Sequence, residues 1–356
     1  MSSTFTSRLE KIENVLNEAV PEYTDYRWSY ALFQDTTVHS VSKPLQALLI
    51  PCRDLLSRGG KRWRPLLMTL VCESLGGKDS ALVLAPLIEL SHNASLIHDD
   101  IEDGSDQRRG KPALHIEYGL DQALNSGSFL YMLSSACIQA WDAAPEQKLA
   151  LFYRWSKAMH ELHLGQAYDI SWHRDFSSHP SLEEYMTMCR LKTGALAKLA
   201  VSVGGIAAGR FSLQSWEQGA EKLGVGFQIL DDIQNLRTGN PGKKRGDDII
   251  EGKKSLPIVL YLNRNADALS FVSQCFSAAR CAGSSAPEIE ILIQTLQADQ
   301  IFEEAQDYAR SLIHESQELF AHEEVVSPEA HKLLRDLINW IGGDRCCSLG
   351  KATYKS

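Results

Sequence analysis

Two apolar stretches of this chain each run straight into adjacent aspartates. Leu90-Ser91-His92-Asn93-Ala94-Ser95-Leu96-Ile97-His98 leads into Asp99-Asp100-Ile101-Glu102-Asp103, and Phe227-Gln228-Ile229-Leu230 leads into Asp231-Asp232. On a helix, residues four apart share a face, so Asp99 and Asp103 point the same way about one turn apart. Like charges at that spacing cost an isolated helix roughly 0.2–0.5 kcal/mol, and more after so apolar a run, unless a cation sits between them. One acidic helix end is ordinary solvated surface. Two such ends point to a divalent cation. The second helix also carries Gln228, Asp231 and Asn235 on one face.

Elsewhere the apolar spacing is helical. Leu9, Ile12, Val15, Leu16 and Val20 precede Pro21, and the run over 80–103 holds Pro86, which predicts a kink or a late start. Further helices are expected over 120–143, 146–172, 181–208, 213–236, 255–264, 267–279, 287–319 and 326–341. No strand alternation, strong hairpin signal or internal repeat appears. The reading is all-α: one domain over 1–356, roughly a dozen helices in a bundle around a central cavity, with the two acidic clusters facing each other at its open end.

With 36 Lys and Arg against 45 Asp and Glu, the net charge is −9, which argues against a general nucleic-acid or anionic-membrane binder. Any basic site must therefore be local. Arg58-Gly59-Gly60-Lys61-Arg62-Trp63-Arg64-Pro65 sets paired glycines among four basic residues, with Pro65 suited to a helix's first turn. It reads as a solvated basic turn or as a diphosphate pocket. Ser105 to Pro112 is expected as a polar loop carrying Arg108, Arg109 and Lys111, just after the first carboxylates. Lys192, in an apolar setting, needs an anion, either Asp169 or a ligand. Gly239 to Lys254, with Lys243, Lys244, Arg245, Lys253 and Lys254, reads as a mobile basic flap. Eight cysteines show no C-x-x-C spacing, and Cys346-Cys347 are adjacent, as in a reduced, cytoplasmic protein. Neither a signal peptide nor a transmembrane segment is expected.

Mg²⁺ favours a few carboxylates plus phosphate oxygens and water. Acidic faces flanked by local Lys and Arg suit a diphosphate whose departure must be stabilised. No catalytic triad, GxGxxG or Walker A motif is present, so hydride transfer and ATP hydrolysis are not indicated.

GGKRWRP, LIHDDIED followed by RRGKPALH, LKTGAL, GFQILDD and GDDIIEGKKSLP occur in the order and spacing of the trans-isoprenyl diphosphate synthases, which the chain resembles over about residues 50–265. HNASL, ELHLGQAYDISWHRD and DDIQN are most similar to the eukaryotic-type geranylgeranyl diphosphate synthases. The resemblance implies the isoprenoid-synthase bundle, a homodimer, Mg²⁺, and isopentenyl and allylic diphosphates as substrates. It implies Lys61, Arg64, His92 and Arg109 on the isopentenyl diphosphate and Arg108 on the allylic diphosphate. Asp99, Asp103 and Asp231 would bind Mg²⁺, with Asp100 and Asp232 as supporting acids. Lys192, Lys244 and Lys253 would grip the departing diphosphate, while Thr193 and Gln228 face the allylic cation. Asn235 stands where many relatives have Asp, and its amide oxygen is expected to face a metal-bound water. A class I terpene cyclase would not need the GGKRWRP pocket, and a non-catalytic synthase subunit would commonly lack one of these clusters.

Product length follows from helix geometry, because each turn of about 5.4 Å lies beside roughly one extended isoprene unit. Ala94 and Ser95, one turn below Asp99, are small where farnesyl-producing relatives carry an aromatic. Ser91, two turns below, is also small. Tyr131, Met132 and His163 are then expected as the floor, or as ordinary core. A C20 product is expected, with longer polyprenyl chains as the alternative.

Overall fold

A computed structural model of the chain describes residues 3–35, 37, 42–239 and 244–343. Lys243, the Cys346-Cys347 pair and the polar tail therefore lie outside the described residues. Helices form where the apolar spacing places them. Ser3–Ala19 buries Phe5, Ile12 and Leu16 on one face, with Val20 just beyond. Pro86 marks a late start: a 3₁₀ turn at Leu82–Leu84 precedes the Ala85–Asp103 helix, and proline in a first turn forfeits no helical hydrogen bond.

Three expected helices are broken. The 120–143 stretch divides into Leu120–Ser134 and Ala136–Ala140. The 287–319 stretch divides into Pro287–Ala298 and Ile301–Leu319, with Gln300 left-handed at φ 57° between them. The 181–208 stretch runs as Leu182–Cys189, a π-helical segment Arg190–Gly194, and Ala195–Ala207. Wide turns of this kind recur at functional sites, and this one carries Lys192 and Thr193.

The all-α expectation holds, with one small addition. Gln107–Arg108 and Lys111–Pro112 pair as an antiparallel ribbon, where a loop was expected. Arg109 and Gly110 between them have φ of 54° and 77°, the double positive φ of a two-residue hairpin turn. Arginine is not a residue that signals such a turn, so the sequence concealed it.

The described residues gather into two compact units. One lies within Met1–Trp155, Ser202–Ser212 and Val325–His331; the other lies within Ser156–Val201, Leu213–Glu324 and Lys332–Ser356. In the first, the Trp63–Ser74 helix is almost wholly buried. Arg62, left-handed at φ 47°, bonds Glu13 at 2.8 Å and Glu89 at 2.7 Å, tying the first helix to the Ala85–Asp103 helix. Gly127 lets the Leu120–Ser134 helix come close: a Cβ there would stand 2.8 Å from the His98 ring.

In the second unit, Gln214–Arg237 packs on Ile301–Leu319 through Gly226, whose added Cβ would meet Ile313 at 2.9 Å. Trp216 and Phe320 rings lie 5.5 Å apart beside it. Gly165 and Gly224 bring helical backbone against the π segment: a Cβ would fall 2.4 Å from the Lys192 nitrogen in one case and 2.8 Å from the Gly194 Cα in the other.

Candidate active site

The first unit carries a basic pocket. Gly60, at φ 156°, leaves room for guanidinium groups, since a Cβ there would stand 2.9 Å from Arg62 Nη1 and 3.1 Å from Arg109 Nη2. Arg109 turns inward from the hairpin and donates to the Leu55 carbonyl at 3.1 Å and to Asn93 Oδ1 at 3.3 Å. Arg62 is buried, and Glu89 and Glu13 outweigh its burial and hold its charge firmly. Arg64 is different. It is only 7% exposed, lies 4.4 Å over the Trp63 ring, and its Nε has no hydrogen-bond partner. Burial pushes its guanidinium down to about 10, with only Glu89 pulling the other way. A buried cation so placed is costly until an anion reaches it.

His92 faces the same arginines. Burial, then Arg64, Arg109, Arg62 and Arg108, hold its imidazole well below its ordinary range, so it stays neutral at physiological pH. Lys61 is half-buried beside them in sequence.

The Ala85–Asp103 helix delivers Asp99, Asp100 and Asp103 in its last turn and a half, where the helix dipole is negative and carboxylates are disfavoured. Asp100, 1% exposed, is neutralised by Arg108, whose Nε lies 2.9 and 3.1 Å from the two carboxylate oxygens. Arg58 braces the same ribbon, donating to the carbonyls of Pro112 at 2.7 Å and Arg108 at 3.2 Å. Asp99 and Asp103 are part-exposed one turn apart on the helix. Two hard carboxylate donors in a negative helix end suit Mg²⁺. Among the described residues no group of three or more His, Cys, Asp or Glu gathers at metal-holding distance.

The second unit holds another arrangement. Lys192 Nζ lies 2.6 Å from Asp169 Oδ2. Burial pushes the Asp169 carboxyl up, but Lys192 and Lys253 outweigh it and leave it below the ordinary range. Lys253 also pairs with Glu251 at 2.7 Å. Thr193 Oγ1 donates to Gln228 Oε1 at 2.8 Å, and Gln228 Nε2 donates to Asp232 Oδ1 at 2.9 Å. Asp232 further accepts from Tyr185 Oη at 2.6 Å and Leu256 N at 2.9 Å. Burial raises its carboxyl to about 6 despite those bonds. Asp232 is thus a buried hub, while the neighbouring Asp231 is part-exposed.

Other expected residues stand in different settings. Lys244 is exposed and donates to Ser284 Oγ at 3.1 Å, away from the Asp169 group. Asn235 is buried, and its Oδ1 accepts from Asp248 N at 3.2 Å. Lys254, read as part of an exposed flap, is 2% exposed and sits 4.6 Å from the Phe276 ring. Of the expected floor, Tyr131 is buried beside the His98 ring, but Met132 is 61% exposed. Consecutive helical residues point about 100° apart, so the two side chains meet different surroundings. His163 is also exposed, its ring bonded to the Met159 carbonyl at 2.8 Å. Ser91 and Ala94 are wholly buried and Ser95 is part-exposed. Sequence reasoning missed Tyr185, Gly165 and Gly224. No motif flags the tyrosine. The glycines, however, interrupt strong helical runs, and that alone signals close packing.

The fold is that of the isoprenyl synthases. A geranylgeranyl pyrophosphate synthetase from Pyrococcus horikoshii matches it with a TM-score of 0.80 at 27% identity, over 96% of this chain and 97% of that one. The polyprenyl synthetase family model matches residues 46–288. The chain is 32% identical over 298 residues to a geranylfarnesyl diphosphate synthase of Aeropyrum pernix, covering 81% of this chain and 91% of that one. It is also 32% identical over 267 residues to a geranylgeranyl pyrophosphate synthase of Geoglobus acetivorans, covering 74% and 75%. The chain belongs to the polyprenyl synthetase family and is a prenyltransferase, a trans-isoprenyl diphosphate synthase of the short-chain kind.

Proposed function

We propose that the enzyme makes geranylgeranyl diphosphate, condensing isopentenyl diphosphate with an allylic diphosphate. The observation that carries this reading is Arg64, a buried cation whose Nε is unpartnered, beside a histidine kept neutral by its burial and by the arginines around it. Such a pocket suits a second diphosphate, the one that is not cleaved. Lys61, Arg64, His92 and Arg109 hold it there. Arg108 serves the allylic diphosphate, and its pairing with Asp100 fixes its position.

Asp99 and Asp103 would hold Mg²⁺ at the first motif, and Asp231 would hold it at the second. When bound, the metal neutralises charge on the departing diphosphate. Lys192 and Lys253 add positive charge as the allylic carbon–oxygen bond breaks and its electron pair goes to the diphosphate. Thr193 Oγ1 donates its hydrogen bond to Gln228 Oε1, which turns the hydroxyl lone pairs toward the allylic cation. The isopentenyl double bond then forms the new carbon–carbon bond, and a proton leaves to the released diphosphate.

The family match runs through both compact units, which supports one isoprenoid-synthase domain. Exposed Ile116, Leu120, Leu124 and Met132 in the first unit support a homodimer with this apolar face covered. No described helix is long and apolar enough to cross a membrane. The six described cysteines are free, which supports a reducing compartment and a cytoplasmic enzyme.

A C25 product is the second reading, favoured by the likeness to the geranylfarnesyl synthase. Incubation of the purified protein with Mg²⁺, labelled isopentenyl diphosphate and dimethylallyl, geranyl or farnesyl diphosphate tests the proposal. C20 as the end product is expected. Failure to elongate any primer would overturn the function, and a C15 end product would overturn the chain length.

A further inference from the structure

The side chain covering Ser91 is none of the expected floor residues. It is Trp155, near the middle of the Pro145–Arg174 helix. Its indole Nε1 donates to Ser134 Oγ at 3.1 Å and, more weakly, to Ser91 Oγ at 3.3 Å, and the two serine oxygens lie 3.0 Å apart. Both serines are wholly buried. Each is also fixed to its own helix, Ser91 by the Leu87 carbonyl and Ser134 by the Tyr131 carbonyl, both at 2.7 Å. The three side chains therefore pin one rigid aromatic plate across three helices.

Its depth is what matters. Asp99, Ser95 and Ser91 follow one another four residues apart along the Ala85–Asp103 helix. Asp99 and Ser95 are part-exposed, whereas Ser91 is closed off. The track beside this helix is thus open at one turn below Asp99 and shut at two turns, about 12 Å down. If a bulky residue at the first turn would stop the tail at C15, then the small Ala94 and Ser95 there do not. A stop one turn deeper admits one more isoprene unit.

We propose that Trp155, held by Ser91 and Ser134, is the residue that ends chain growth at C20. The proposal rests on the chain-elongation reading above. Serine at these two positions has a clear use here: a hydroxyl accepts the indole N–H that would otherwise be buried without a partner. The same hydrogen bonds keep the ring from swinging aside under an advancing tail.

Product length after extended incubation with farnesyl diphosphate, Mg²⁺ and labelled isopentenyl diphosphate decides it. Trp155→Ala removes the plate, and the ratio of C25 and longer products to C20 should rise by about tenfold or more, the scale of discrimination a hydrophobic stop provides. Trp155→Phe keeps a ring without the N–H and should leak partially past C20. Trp155→Leu preserves apolar volume, and it decides the matter if the alanine variant fails to fold. A purely structural tryptophan would lower thermal stability without moving product length. Unchanged product length in the folded Ala and Leu variants would overturn the inference. A wild-type enzyme that elongates no primer would instead overturn the functional reading on which it stands.

Discussion

Arg108 Nε reaches both carboxylate oxygens of Asp100, at 2.9 and 3.1 Å, from a two-residue strand to the last turn of the preceding helix. The middle acid of the aspartate motif is thereby committed to holding a cation of the protein itself. A planar guanidinium that engages both oxygens has no equivalent in lysine. Arg108→Lys should therefore raise KM for the allylic diphosphate about tenfold or more despite the retained charge. Asp100→Asn should do likewise by freeing Arg108. Steady-state kinetics with each substrate varied in turn would show it, and an unchanged allylic KM in both variants would remove Arg108 from that role.

The outer pair behaves differently. Asp99 and Asp103 sit in the negative end of the helix, a placement that a bound cation favours. Asp99→Asn and Asp231→Asn should each lose at least about a hundredfold in turnover, and a chelator should abolish wild-type activity until Mg²⁺ is restored. Full turnover in excess chelator would contradict the proposed metal role.

How much of this was readable from the residues depended on range. The aspartate clusters, the glycine-arginine turn and most helices are local patterns, and their spacing alone located them. Pro86 even announced the late start of its helix. The hairpin escaped because Arg109, not glycine or asparagine, takes the first positive φ. Lys254 looked like its exposed neighbours, since nothing in GKKSLP says which lysine meets Phe176 and Phe276. Met132 looked like Tyr131 for the same reason: a helix sends adjacent residues to different surroundings, and only the packing decides which is buried. Tyr185 and Trp155 act through partners 47 and 64 residues away. No local pattern carries such pairings.

Arg64 gives a prediction with two opposite signs. Its buried charge lacks a carboxylate partner among the described residues, so Arg64→Met should stabilise the ligand-free protein, by about 1–3 kcal/mol in chemical denaturation. The same change should weaken isopentenyl diphosphate, raising its KM about tenfold or more. If the methionine variant were less stable and bound substrate normally, Arg64 would be a structural cation and not a ligand for diphosphate.

Lys254 supplies the pH test. Burial lowers its ammonium to about 8, with Asp175 opposing and Arg280 assisting. Its one hydrogen bond is long, 3.4 Å to the Phe176 carbonyl. A folded-state value depressed below the ordinary 10.5 means that the contribution to stability is present above the unfolded value and is lost as pH falls through about 8. The protein should therefore gain stability from this residue as pH rises from 8 toward 10. Lys254→Met should be more stable at neutral pH and show a flatter profile over that window. Urea denaturation at pH 7 and pH 10 checks both, and an unaltered difference between the two pH values would rule Lys254 out as its source.

Ala94 and Ser95 stand side by side one turn below Asp99, yet they are not equivalent. Ala94 is wholly buried, while Ser95 is part-exposed on the track that leads from Asp99 to Ser91. A phenylalanine at 94 must displace packed side chains, at a cost of about 1–3 kcal/mol or more. A phenylalanine at 95 loses only the hydrogen bond from Ser95 Oγ to the His92 carbonyl, and its ring can lie in the open track. Ser95→Phe should therefore shorten the product from C20 to C15 while nearly keeping the wild-type melting temperature. Ala94→Phe should shorten it too, but with a clear loss of stability. Product chromatography beside thermal denaturation separates the two effects. If Ser95→Phe still made C20 as its main product, the tail would not run along this face, and the helix beside Asp99 would not be the ruler.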